Sequence, residues 1–362
     1  MLLVIKMKFF IDIIVSTLSN IISVGIIAAI GYIALAFRYS IKRNERKKFI
    51  HPTKRVIKTN LNQIKKINKI ESSFVNVFTK EEYDTIIELY RTRNGGRLYN
   101  SPAIRIEQVD NDTLTISQAN FYDFIATNLS VFPANAPHKI RKNFIYTITK
   151  YFKFFEKNKD FEYSVKLKLG DKPDCKKVLN VSELANIATV SVIIEDINGK
   201  IGIVQRTNKV AISSGAFSAT VAGTPTDIDY NENDPFFACV KREIAEELGL
   251  KNIEIEFQEL IISKQKMQPV FLYLGKLRCS WENCYSTILD TKDYYFEVQN
   301  LFIVPQKDII CFVKQTNMTD AAAYQLWKYA FDCSGKDRWY NPIYFFKSLR
   351  KHCKLGETHN CK

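Results

Sequence analysis

The sequence predicts an α/β fold in which a mixed sheet lies between helices, preceded by a small α+β region and one N-terminal transmembrane helix. Three observations lead to this prediction. Strand-like apolar runs flank one amphipathic helix in the C-terminal half, and a second set of strand and helix signals precedes them. A run of 25 residues without a charge lies near the start of the chain. We therefore divide the chain into an anchor with a basic stalk (1–48), an α+β spacer or sensing region (49–185), a domain that holds the main sheet (186–350) and a tail (351–362).

The uncharged run extends from Ile13 to Phe37. As a helix it would be about 38 Å long, which exceeds a hydrocarbon core of about 30 Å. A cleaved signal peptide is the alternative, but its apolar region would be shorter and no small-residue cleavage site closes this run. The run thus predicts a single-pass anchor in the lipid bilayer. Gly25 and Ala29 form a small-xxx-small pair, which makes the chain a candidate homo-oligomer.

The positive charge of the chain is concentrated beside this anchor. Twelve basic residues and one acidic residue lie between Arg38 and Lys69, in a chain whose formal net charge is +14. Positive residues stay on the cytoplasmic side, so we expect the N-terminus outside the inner membrane and the large domain in the cytoplasm. Lysine and arginine at this position suit anionic headgroups. We expect no nucleic-acid partner, because only Tyr39 and Phe49 offer stacking rings there.

The region 49–185 carries signals of both helices and strands. Thr79 and Glu82 have the spacing of a capping box, which predicts a helix that continues through Tyr90. The role of the region 49–185 stays open: it could be a sensing domain, a dimerisation element or one part of a composite fold. The other elements predicted here are a hairpin of Ala103–Val109 and Thr113–Ser117 and helices at Phe121–Asn128 and Phe144–Phe155.

Strand signals also surround the amphipathic helix of the region 186–350. Two apolar runs are separated by the turn Asp196-Ile197-Asn198-Gly199, which predicts a hairpin. The order strand, strand, helix, strand predicts a mixed sheet between helices. The predicted strands are Ala188–Glu195, Ile201–Gln205, a strand within Ser213–Gly223, Ile253–Ile262 and Val270–Leu274.

The most informative motif runs from Arg242 to Leu250. Glu243, Glu246 and Glu247 occupy positions i, i+3 and i+4, so on a helix the three carboxylates share one face. Like charges at this spacing repel one another, and a divalent cation such as Mg²⁺ or Mn²⁺ would offset that repulsion. An acidic amphipathic helix that ends at a glycine is the alternative, but it does not explain the clustered carboxylates.

The spacing R-E-apolar-x-E-E-x-G-apolar resembles the second half of the NUDIX box, the metal-binding helix of the NUDIX hydrolases. The family pattern places a further glutamate at the position of Asp234 and a glycine at that of Ile228. Asp234 also suits an N-cap, because Pro235 follows it. Gly223 lies five residues before the glycine position, and a longer loop would bring it into that role. Glu297 stands where many family members have a metal-binding or basic glutamate; a surface residue is the alternative.

This resemblance implies a NUDIX-type sheet in 186–350 and hydrolysis of a nucleoside diphosphate that is linked to another group. It implies that Glu246 and Glu247 hold Mg²⁺ or Mn²⁺, with Glu243 as a further ligand or as the base that takes a proton from water. Arg242 would orient a glutamate through an ion pair.

The order of membrane helix, basic stalk, spacer and C-terminal domain resembles the transmembrane-NUDIX effectors of bacterial CBASS antiphage systems, which a cyclic nucleotide activates. It implies a membrane-anchored effector whose ligand is a cyclic nucleotide or a nucleoside diphosphate. Two other classes stay open: a membrane-tethered housekeeping hydrolase of nucleotide sugars or related nucleotides, and a non-catalytic NUDIX fold that binds a nucleotide.

Overall fold

A computed structural model describes most of the chain after residue 49. The predicted transmembrane run, the predicted helix at Phe144–Phe155 and the tail lie outside the described residues. In the part of the chain that the structure describes, no helix is both long and apolar enough to cross a membrane. The described residues are 50–59, 61, 63–93, 98–131, 159–207, 210, 212–291 and 297–334.

The described residues form a mixed α/β fold with two sheets. An eight-stranded sheet has the order β1-β9-β10-β5-β6-β11, with β7 beside β6 and β8 beside β5, and a three-stranded sheet has the order β2-β4-β3. The strands are β1 (Val56–Lys58), β2 (Lys66–Ser73), β3 (Pro102–Asp110), β4 (Thr113–Asn120), β5 (Thr189–Glu195), β6 (Lys200–Arg206), β7 (Phe217–Ser218), β8 (Val221–Gly223), β9 (Glu254–Ser263), β10 (Gln268–Lys276) and β11 (Val298–Pro305).

Four α-helices that lie wholly within the described part of the chain are longer than eight residues. The helix Pro235–Leu248, which carries the clustered glutamates, is called the carboxylate helix below. Residues 159–169 are also helical. The α-helices are Lys80–Arg93, Phe121–Ala126, Asn128–Val131, Cys175–Leu179, Asp227–Tyr230, Pro235–Leu248, Trp281–Leu289, Ile309–Gln315 and Asp320–Ser334, and the 3₁₀ helices are Pro52–Lys54 and Gln306–Asp308.

The large sheet is mixed, as predicted, because β5 and β10 run parallel while its other pairs are antiparallel. The predicted hairpin forms, but β5 and β6 pair only next to their turn. Beyond it Thr220 lies between them: its hydroxyl donates to the carbonyl of Gly202 at 2.5 Å and accepts from the amide of Ile194 at 2.9 Å. The segment Ser213–Gly223 therefore contributes two short strands, β7 and β8, one to each arm of the open hairpin.

Alternate side chains of the central strands bury against helices on opposite faces of the sheet. Val192 and Ile194 belong to the same apolar cluster as the carboxylate helix, where the ring of Phe236 stacks on Phe271 at 3.8 Å between centroids. Ile193 belongs to a second cluster, with the helices Ile309–Gln315 and Asp320–Ser334. Because successive residues of a strand point to opposite faces, these continuous apolar runs suit a sheet that is covered on both sides.

The carboxylate helix begins and ends at the predicted residues. The Asp234 carboxylate accepts hydrogen bonds from the backbone amides of Phe236 and Phe237, each at 3.0 Å, and Pro235 occupies the first turn. Gly249 ends the helix with a left-handed backbone (φ 65°), which a glycine adopts without steric cost. The two caps fix where the helix begins and ends, and its apolar face packs in the core, which sets the direction of its glutamates.

The region 49–185 supplies the small sheet and one edge strand of the large sheet. β3 and β4 form the predicted hairpin, and the predicted capping box opens the helix Lys80–Arg93, where the Thr79 amide donates to the Glu82 carboxylate at 2.8 Å. β1 pairs with β9, with Val56 opposite Ser263. The described residues from His51 onward belong to one compact unit. The boundary at residues 185 and 186 stays a prediction.

Candidate active site

A cleft of about 400 Å³ opens at the edge of the large sheet where β5 and β10 begin and β6 ends. Three carboxylates, Glu243, Glu297 and Asp320, line it together with two cations, Arg206 and Lys266. Gly223 from the end of β8 lies among the same residues. The cleft therefore brings side chains of both charges together from five separate segments of the chain.

Arg242 connects the acidic residues of the carboxylate helix to the loop before it. Its guanidinium donates to both carboxylate oxygens of Asp229, from Nε at 3.2 Å and from Nη2 at 2.9 Å. Its Nη1 lies 2.9 Å from Glu243 Oε1 and 2.9 Å from Glu246 Oε2. Burial opposes the charge of Arg242, but the hydrogen bonds to Asp229 raise its pKa, so it stays a cation.

Asp229 is a buried residue that the sequence reasoning did not identify. It lies on the short helix Asp227–Tyr230, where its carboxylate accepts from the Thr226 amide at 2.9 Å. The spacing of Thr226 and Asp229 is that of a capping box, and this local signal could have indicated it. Ile228, at the position of the family glycine, is on the same helix and is 70% exposed. The helix thus lengthens the loop between Gly223 and Asp234.

The Glu243 carboxylate packs directly against the backbone of Gly223. A Cβ atom at position 223 would lie 2.2 Å from Glu243 Oε1, a distance that excludes any larger residue unless the carboxylate moves. Burial raises the pKa of Glu243 to about 7, while Arg242 lowers it and Glu246 and Glu297 raise it. Gly223 therefore makes room for a carboxyl group that titrates near neutral pH.

Glu247 is the most buried of the three helix glutamates, with 5% of its surface exposed. Burial raises its pKa well above the usual value, and the charges of Glu297 and Glu243 add to this effect. Arg206 and the backbone amide of Ala222 act in the opposite direction. Glu297 itself faces Arg206, with Oε2 3.8 Å from Nη2. Glu243, Glu247 and Glu297 therefore lie within electrostatic reach of one another, and we call them the carboxylate cluster.

Two of the predicted site residues lie elsewhere. Asp234 caps the carboxylate helix, and Glu246 is 46% exposed at its side chain and pairs with Arg242. Neither is among the described residues that line the cleft, and the buried Glu247 is not among them either. In the part of the chain that the structure describes, no three His, Cys, Asp or Glu side chains are grouped at the distances of metal ligands. The carboxylate cluster offers only oxygen donors, which are the ligands that Mg²⁺ and Mn²⁺ prefer.

Arg206 and Lys266 are two charged residues of the cleft that no local sequence pattern predicted as site residues. Arg206 ends β6, and Lys266 lies in the turn between β9 and β10. They lie at the same cleft because β6 and β10 are both neighbours of β5 in the sheet. Sequence patterns predict which residues are close along one element, so they do not predict a pair of residues from different strands.

No protein-family model and no curated protein matches the chain. Among solved structures, DR0079 of Deinococcus radiodurans is 10% identical over 39% of this chain and 81% of that protein, with a TM-score of 0.31. A mutT/nudix family protein of Listeria innocua is 16% identical over 40% and 92%, with a TM-score of 0.30. The MutT protein of Methanosarcina mazei is 13% identical over 41% and 94%, with a TM-score of 0.26.

Proposed function

We propose that this chain hydrolyses a diphosphate bond, in a nucleoside diphosphate linked to another group, with the help of Mg²⁺ or Mn²⁺. The observation that carries the proposal is the carboxylate cluster, of which Glu243 and Glu297 line the cleft and Glu247 is buried within electrostatic reach of both. Glu243 and Glu247 also lie on a helix with the sequence spacing of the second half of the NUDIX box, which supports the same conclusion. The fold of a NUDIX hydrolase is part of this proposal.

The carboxylate cluster offers oxygen ligands to a divalent cation, which would have to draw them closer together than they lie in the structure. Burial and mutual repulsion raise the pKa of Glu243 and of Glu247, so the ionised cluster is unfavourable as it stands. A cation bound by these oxygens would offset both effects, which Arg242 at Glu243 and Arg206 at Glu247 offset only in part. When bound, such a cation stabilises the negative charge that develops on the phosphate oxygens.

The surrounding side chains have roles that follow from their contacts. Asp229 fixes the guanidinium of Arg242, and Arg242 in turn holds Glu243 and Glu246 at 2.9 Å. Burial raises the pKa of Glu243, which makes it a stronger base than an ordinary glutamate, and we assign it as the group that would accept a proton from water. Gly223 keeps the space that this carboxylate needs. Glu246 is exposed and pairs with Arg242. We assign it to hold Arg242 in place or to bind a cation that enters from solvent.

Glu247→Gln tests this proposal. The substitution keeps the size of the side chain and removes a charge, so we expect Mg²⁺-dependent phosphate release from nucleoside-diphosphate substrates to fall by about 100-fold or more. We also expect the rise of Tm with added Mg²⁺ to disappear, because ligands that bind only the folded state stabilise it. Glu254→Gln, at an exposed position of β9, is the matched control and should behave like wild type.

Gly223→Ala is the second variant of this experiment. Its Cβ would displace the Glu243 carboxylate, so the cation-dependent shift of Tm should shrink while the fold is retained. Wild-type turnover by Glu247→Gln, together with an unchanged response to Mg²⁺, would remove the assignment of the site. Folded protein that binds nucleotides but releases no phosphate would favour the non-catalytic alternative.

We further propose, from the order of its predicted parts, that the chain is a membrane-anchored effector activated by a cyclic nucleotide. The cleft then either senses that nucleotide or becomes active after it binds. A panel of linear and cyclic nucleotides, scored separately for binding and for phosphate release, tests this. Phosphate release from nucleotide sugars at the same rate with and without cyclic nucleotides would favour a housekeeping hydrolase instead.

A further inference from the structure

Lys266 is held in place by a buried framework on the side away from solvent. Its amide donates to the carbonyl of Ser263 at 3.3 Å, which closes the turn between β9 and β10. The side-chain amide of Asn128, which is 0% exposed, donates to the carbonyls of Lys266 at 3.2 Å and of Met267 at 2.9 Å. The turn is therefore tied to the helix Asn128–Val131, and the position of the lysine at the cleft is fixed.

The ammonium group of Lys266 has no partner that neutralises it. In the described part of the chain it makes no hydrogen bond and no ion pair. Asp320, a nearby acid, is already engaged: its Oδ2 accepts from the Gln265 amide at 3.0 Å and from the Ser263 hydroxyl at 3.3 Å. Burial and the positive charge of Arg206 lower the pKa of Lys266 to about 8, although the negative charge of Asp320 acts in the opposite direction. A half-buried cation that makes no direct ion pair is costly to keep.

Arg206 is a second cation with unused donors in the same cleft. Its side chain is 19% exposed, and its closest carboxylate oxygen, on Glu297, is 3.8 Å from Nη2, too far for a hydrogen bond. Its Nε is buried and has no hydrogen-bond partner among the described residues. Two adjacent cations thus present free N–H donors to one cavity.

We propose that Lys266 and Arg206 form an anion-binding subsite that holds a phosphate group of the ligand, beside the carboxylate cluster. The subsite proposal rests on the proposed function for the identity of the substrate. It adds which side chains bind a phosphate group of that substrate. Phosphate oxygens match both donors, because the forked guanidinium binds two oxygens and the ammonium acts as a point charge. The alternative is that Lys266 only packs its aliphatic chain against the wall of the cleft. That alternative gives no reason for a second cation, Arg206, in the lining of the same cleft.

Inorganic pyrophosphate is the probe that tests this subsite. Its binding to the full chain in detergent is measured by calorimetry at pH 6 with EDTA present, so that no divalent cation contributes. Loss of a hydrogen bond to a charged group predicts that Lys266→Met binds pyrophosphate about tenfold to a hundredfold more weakly than wild type. Lys266→Arg keeps the charge and should bind within a few-fold of wild type. Lys264→Met, at an exposed position of the same turn, is the matched control and should not change binding.

The outcomes separate this subsite from the proposed function. Glu247→Gln should lose Mg²⁺-dependent hydrolysis and keep pyrophosphate binding in EDTA. If it hydrolyses like wild type while Lys266→Met fails to bind pyrophosphate, the subsite stands and the proposed function falls. Wild-type protein that does not bind pyrophosphate overturns the subsite, and so does equal binding by Lys266→Met. Circular dichroism checks that each variant is folded, and Lys266→Gln replaces Lys266→Met if the latter is not.

Discussion

At the scale of single residues, the site is defined by carboxyl groups whose surroundings favour the neutral form. Glu247 is 5% exposed and lies near Glu243 and Glu297. A core built for stability alone would place an apolar or amide side chain there, because buried like charges destabilise a fold. The cost is understandable if the same position serves cation binding. Residues of this kind, which are unfavourable locally, commonly mark a functional site.

The pH dependence of stability tests this cost at Glu247. The folded state raises the pKa of Glu247 above its usual 4.5, so between pH 4.5 and the raised value the folded state binds more protons than the unfolded state. Stability therefore falls as pH rises through this range. Without divalent cations, Glu247→Gln should gain stability relative to wild type as the pH rises and should be the more stable of the two at pH 8. The difference should vanish near pH 4.

Denaturant unfolding at several pH values measures this difference. Added Mg²⁺ should narrow the gap at pH 8, because it stabilises only the protein that retains the full cluster. Equal stability of wild type and Glu247→Gln at pH 8 would mean that Glu247 ionises without cost and that the cluster needs no cation to offset its charge.

At the scale of elements, the carboxylate helix shows how local signals place the site. Asp234 fixes where the helix begins and Gly249 where it ends, while the packing of the apolar side chains of the helix on the sheet sets the direction of its glutamates. The sequence alone leaves two roles open for the carboxylate of Asp234, helix capping and metal binding. Its hydrogen bonds to Phe236 and Phe237 assign it to the cap.

Substitution of Asp234 separates these two roles. Asp234→Ala removes the acceptor of two backbone amides, so we expect the free energy of unfolding to fall by about 1 kcal/mol. Asp234→Asn preserves a cap acceptor and should be close to wild type in stability. Both variants should keep the Mg²⁺-dependent rise of Tm and the hydrolysis rate under folded conditions. A selective loss of Mg²⁺ response in Asp234→Asn would instead make Asp234 a ligand of the cation.

Elements with a strong local pattern were predictable, and elements that depend on distant pairing were not. The Asp196–Gly199 turn, the capping box at Thr79 and the ends of the carboxylate helix each rest on a few neighbouring residues. β1 has three residues and is a strand only because β9 lies beside it. Glu297 enters the cleft and Glu246 does not, although both carry the same charge, because the direction of each side chain is set by packing.

At the scale of the whole molecule, the site is assembled from both halves of the chain. Tyr99 and Phe121, from the region predicted as a spacer, line the same cleft as Glu243. The amide of Ile104 in β3 donates to the carbonyl of Pro225, in the loop that follows Gly223. This contact explains how residues before position 185 reach the site. Changes in that region are therefore expected to alter ligand binding as well as stability.

The membrane anchor is the prediction that concerns the complete chain. We expect the full chain to sediment with membranes and to remain there after alkaline carbonate extraction, because Ile13–Phe37 is long enough to span the bilayer. A double variant, Ile26→Asp with Ile30→Asp, should move into the supernatant, since each central charge costs about 2.5–3.5 kcal/mol on insertion. A chain of residues 51–362 should also stay in the supernatant and should keep its Mg²⁺-dependent rise of Tm, because the carboxylate cluster lies within one compact unit. If the double variant resists carbonate extraction like wild type, Ile13–Phe37 is not the anchor.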